Sequence, residues 1–99
     1  MIPYSRRAAL HITALLDHYS ELDRPEAMRN LLAAMREASA MIEEDPSAGL
    51  PAPRPYPALA RPGRLWVKAG RYWIGYRRRP SLGIVAVFYD AADIPGRIE

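Results

Sequence analysis

The sequence predicts an α+β domain: an N-terminal helical hairpin packed on a C-terminal antiparallel sheet of three to four strands. Three observations carry this. Apolar residues recur at three- and four-residue steps through the first part of the chain, residues 46–62 hold six prolines, and the apolar spacing beyond them is two. At 99 residues the chain suffices for one domain with one modest core, so residues 1–99 read as a single unit.

Ser5 has the character of an N-cap, small and polar ahead of a run of good helix formers. Ala8, Ile12, Leu15, Leu16 and Tyr19 then share one helical face, and the helix should end near Leu22. Asp23 is a candidate cap for the next helix, with Pro25 in its first turn, where a missing N–H costs little. Met28, Leu31, Leu32, Met35, Ala38 and Ile42 form the second stripe, and Glu43 to Pro46 end it. Met28, Met35 and Met41 are expected as core filler. A short connection between two helices predicts a helical hairpin.

The proline-rich stretch 46–62 suits neither helix nor central strand and is expected as an extended surface loop. Arg64 to Ala69, Tyr72 to Arg77 and Ile84 to Tyr89 read as strands. Ala69-Gly70-Arg71 should form a tight hairpin, because glycine admits positive φ. Arg78 to Gly83 is a longer turn, and Ile2 to Tyr4 can add a short edge strand. Tyr72, Ile74 and Tyr76 should face the helices, leaving Trp66 and Trp73 on the other side.

Charge is strongly segregated. Residues 1–45 carry five arginines against eight acids, residues 46–89 carry eight cations and no acid, and residues 90–99 carry three acids and one arginine. Such polarity points to an acidic protein or a nucleic acid as partner. The absence of cysteine excludes a disulfide framework and a thiolate metal site. No apolar run approaches a membrane span, and MIPYSRRAAL lacks the apolar core of a secretory signal, so the expected location is cytoplasmic, with no membrane partner. His11 and His18 lack a third good ligand nearby and read as surface or half-buried histidines; no metal or cofactor is expected.

Five segments occur in an order that covers nearly the whole chain: YSRRA opening the first helix, LLDHYSEL within it, PEAMRNLLAAMREASAMIEEDPSAGLP, RLWVKAGRYWIGYRR, and a terminal IVAVFYDAADIP. Together they resemble the RelE/ParE superfamily of toxins from type II toxin–antitoxin modules, especially its plasmid-stabilisation branch. The resemblance implies a RelE/ParE-like fold and growth arrest of a bacterial host, neutralised by a cognate antitoxin. ParE-like members poison DNA gyrase, whereas RelE-like members cut messenger RNA on the ribosome; a degenerate member binds antitoxin or nucleic acid without activity.

Under the RNA-cleaving alternative the candidate residues are Arg64, Lys68, Arg77 and Tyr89: cations to hold phosphate and a strand-end group where many relatives carry histidine. Arg64 and Lys68 share a face with Trp66, and Arg77 with Trp73, so a cation beside an indole can hold phosphate and stack a base. Relatives ending H-G-x-R-D-I-P have arginine where this chain has Ala92, and Asp90 and Asp93 make the strand end acidic, which would repel phosphate. The expected mechanism is therefore the ParE-like one, without RNA cleavage. For the antitoxin, expected to present an acidic amphipathic segment, the candidate contacts are Trp66, Trp73, Arg77, Arg78 and Arg79. The alternatives are that a loop of the chain or self-association covers the two tryptophans, and that the arginine run is simply solvated.

Overall fold

The computed structural model describes residues 2–90. Helix α1 spans Arg6–Glu21 and helix α2 spans Pro25–Glu44; after the proline-rich loop come strands β1 (Arg64–Ala69), β2 (Tyr72–Arg77) and β3 (Gly83–Tyr89). The sheet is an antiparallel meander in the order β1-β2-β3, as short links between strands require. The α+β arrangement expected from the change in apolar spacing is therefore present, with three strands. The N-terminal segment adds one parallel bridge, Tyr4 with Ile84, rather than a fourth strand.

Helix α1 starts where the sequence places it. Ser5 is extended and its Oγ accepts the Ala8 N–H at 3.1 Å. It also ends as expected, with Leu22 as its C-cap, but the start of α2 departs from expectation. Asp23 does not cap α2: its φ is 52°, in the left-handed region, whereas an N-cap is typically extended. Asp23 instead closes α1, with its own N–H bonded to the Ser20 carbonyl and the Arg24 N–H to the Tyr19 carbonyl. This is the Schellman pattern, with aspartate where glycine is usual. The N-cap of α2 is Arg24, which makes no side-chain capping bond.

The main core lies between the helices and one face of the sheet. Helix α2 contributes Leu31, Ala34, Met35, Ala38 and Ile42, α1 contributes Ala8, and the strands contribute Tyr72, Ile74, Tyr76, Ile84 and Val87. The α2 stripe is rotated from the expected one: Ala34 is buried, whereas Leu32 and Met41 are exposed and Met28 is half-buried. Tyr76, fully buried, ties the loop to the sheet. Its hydroxyl donates to the Pro46 carbonyl at 2.7 Å and accepts the Gly49 N–H at 3.1 Å. Gly49 has to be glycine here, since a Cβ would lie 2.5 Å from that hydroxyl.

The proline-rich loop folds onto the face of the sheet turned away from the helices. Leu50 pairs with Trp66 through both backbone bonds, at 2.8 and 2.7 Å, extending the β1 edge by one antiparallel bridge. Beyond it Pro53 is buried and a short 3-10 turn, Pro57–Leu59, lowers Leu59 onto the sheet. A second core results, formed by Leu59, Trp66, Trp73, Ala86 and Phe88, with Leu50 and Tyr56 packed on it. The Trp66 indole lies over Gly75, the residue opposite it on β2, and stacks with Phe88 at 6.1 Å between ring centroids.

Candidate functional site

This second core corrects the expectation for the tryptophans. Trp66 and Trp73 do lie opposite the helices, but they are 0% and 3% exposed and offer no surface to a partner. The signal was present in the sequence: seventeen residues, 46–62, too rich in proline to join the sheet and long enough to cover two indoles.

Strand alternation and register divide the four candidates for RNA cleavage. Arg64, Lys68 and Arg77 lie on the loop-covered face; Tyr89 pairs with Tyr72 and packs against the helix-side core, its ring edge-on to Tyr72 at 5.6 Å. Tyr89 is thus on the opposite side of the sheet from the cations. Lys68 is committed elsewhere. Its ammonium bonds the Asp90 carboxylate at 3.1 Å and sits 5.9 Å from the centre of the Trp73 ring. Asp90, expected to make the strand end acidic, has its charge offset by Lys68 instead. Ala92, Asp93 and the closing Asp-Ile-Pro lie outside the described residues.

The arginine run is also divided. Arg78 and Arg79 are exposed in the turn, whereas Arg77 ends β2 and is half-buried. Its guanidinium rests on Gly83, its cross-strand partner, where a Cβ would come within 3.0 Å of the guanidinium carbon. Among the described residues the buried Arg77 Nε has no hydrogen-bond partner. Arg64 is directly opposite Arg77.

His11 is half-buried, within the range read from the sequence, but sequence reasoning gave it no role. It lies on α1 beside the free edge of β3, where its Nδ1 accepts the Val87 N–H at 3.2 Å and its ring packs on Phe88 at 4.8 Å between centroids. Burial, then the charges of Arg7 and Arg64, hold its pKa below the ordinary 6.5, so the neutral ring is favoured with the remaining proton on Nε2. The available signal was Arg7 one helical turn before it, on the same face.

A groove of about 850 Å³ opens at the other end of the helices, between α1, α2 and the β1–β2 hairpin. Leu15, Leu22, Ala27, Ala34, Tyr72 and Tyr89 line it, with Arg24, Arg71 and Glu37 among its charged residues. In the same region the Tyr19 and Tyr72 hydroxyls meet at 2.5 Å. Burial and that hydrogen bond push the Tyr72 phenol far above its usual range, so it stays protonated. No helix among the described residues is long and apolar enough to cross a membrane. No family model matches the chain, and no curated protein matches it.

Proposed function

We propose that the chain is the toxin component of a type II toxin–antitoxin module of the RelE/ParE kind, arresting growth through DNA gyrase rather than by cutting RNA. Support for the family comes from the ordered segments running from YSRRA to DIP, together with a helical hairpin on an antiparallel sheet. The observation that carries the non-nucleolytic reading is the separation of Tyr89 from Arg64, Lys68 and Arg77 by the thickness of the sheet. A nuclease needs its proton-transfer group and its phosphate-holding cations around one phosphate.

The antitoxin segment docks in the groove between α1, α2 and the hairpin. Leu22 is an exposed apolar residue at that groove, and Arg24 and Arg71 stand beside it. An acidic amphipathic segment fits both: apolar anchors against Leu15 and Leu22, carboxylates against the arginines. Induced expression of the chain in a bacterial host tests the reading. Growth should slow without a partner and recover when the neighbouring reading frame is co-expressed; normal growth at confirmed soluble expression would overturn it.

A further inference from the structure

Four groups able to donate to an anion gather where α1 passes the sheet, on the side away from the main core. Arg64 and Arg77 are cross-strand partners on one face, an arrangement that like charges make unfavourable. Arg77 is drawn over Gly83, towards the edge where α1 begins; there the Ser5 N–H bonds the Ile84 carbonyl at 2.8 Å. Arg7 and His11 follow on α1, four residues apart, with His11 fixed to the β3 edge by the Val87 N–H. Arg7 and Arg64 both act electrostatically on His11, and Arg61 and Arg7 on Arg64, so Arg7, His11 and Arg64 lie within one another's fields, with Arg77 joined to them as the cross-strand partner of Arg64. Among the described residues none of these arginines is in an ion pair; Lys68, on the same face, has Asp90.

We propose that Arg7, His11, Arg64 and Arg77 form a binding site for a phosphate group. Repulsion among three guanidinium groups is relieved by a bound anion, and the orphaned Arg77 Nε and the His11 Nε2–H supply donors. Donors arriving from a helix and two strands suit a tetrahedral oxyanion, whereas a carboxylate is satisfied by one planar fork. The indoles of Trp66 and Trp73 lie beneath the loop, so the site reads phosphate and not base. It does not depend on the toxin assignment, and it supplies no general base: the Val87 N–H occupies His11 Nδ1, so Nε2 can only donate.

The test follows the His11 ring signals by NMR while the full chain is titrated at low ionic strength, first with inorganic phosphate and separately with a short single-stranded oligothymidylate. Saturable binding that raises the His11 pKa is expected, because a nearby anion favours the imidazolium. Arg64→Gln and Arg77→Gln should each weaken binding by about tenfold or more, and Lys68→Gln should leave it unchanged. Saturation by inorganic phosphate alone identifies a free phosphate or monoester site. Much tighter binding of the oligonucleotide, lost in the same variants, identifies a phosphodiester; either result supports the proposal. Equal loss in Lys68→Gln would show diffuse attraction to a basic surface and overturn it. So would an unsaturable response in the folded wild-type chain, or tighter binding of an oligoglutamate peptide than of either phosphate probe.

Discussion

Replacing Trp66 by alanine tests whether the proline-rich loop is held by a second core. The indole is fully buried, covers Gly75, stacks on Phe88 and shares its cluster with Leu59, under the segment that starts at the Leu50 bridge. Truncating a buried tryptophan to alanine removes its transfer free energy and leaves a cavity, a loss of about 3–5 kcal/mol. Against a total stability of about 5–15 kcal/mol that is a large fraction. At about 4–8 °C per kcal/mol for a domain of this size, the midpoint should fall by roughly 12–40 °C. The loop should also loosen before the domain unfolds, since residues 51–62 are anchored on this cluster. Thermal denaturation followed by circular dichroism gives the first quantity, and limited elastase digestion after Ala58 and Ala60 the second. A shift below about 4 °C, equivalent to under about 1 kcal/mol, with unchanged cleavage after both alanines would refute the second core.

Three further outcomes follow from other contacts. Tyr76→Phe leaves the Gly49 N–H and the Pro46 carbonyl without their partner and should cost about 1–3 kcal/mol in urea unfolding, with little change in the denaturant slope. Because the folded-state pKa of His11 lies below 6.5, the unfolded chain binds the proton first as pH falls; His11 thus contributes stability present above that value and lost as pH drops through it. Unfolding free energies at mildly acidic and mildly alkaline pH should differ more in the wild type than in His11→Gln, and equal differences would contradict the assignment. Leu22→Asp should abolish neutralisation by the antitoxin while leaving the melting temperature within a few degrees, because Leu22 is exposed at the proposed docking groove; normal neutralisation would move the interface elsewhere.

Periodicity carried most of the architecture. Both helices, the two-residue hairpin at Gly70 and the three strands are where the apolar spacing places them, β3 starting one residue early at Gly83. Tyr72, Ile74 and Tyr76 face the helices, as alternation requires. Local reading failed where one residue type serves two purposes. Asp23 precedes a proline at a helix start, the usual setting of a cap, yet the preceding helix claims it through its left-handed φ. Alternation gave the correct side for Trp66 and Trp73 but not what covers that side, because a loop without periodicity gives no sign of where it folds back. The candidate site was legible only as charge. That Lys68 has Asp90 while Arg64 faces Arg77 depends on strand register, and that His11 joins them depends on how α1 lies along β3.

The proposed toxin should arrest growth without RNA cleavage. Inducing the wild-type chain in cells and assaying covalent gyrase–DNA complexes and messenger RNA integrity in the same samples tests it most directly. Gyrase–DNA complexes should accumulate with messenger RNA intact at the onset of arrest. Codon-dependent cuts in messenger RNA at that onset, abolished by Lys68→Ala or Tyr89→Phe, would contradict it, since those two side chains lie on opposite faces of the sheet and one is already paired with Asp90.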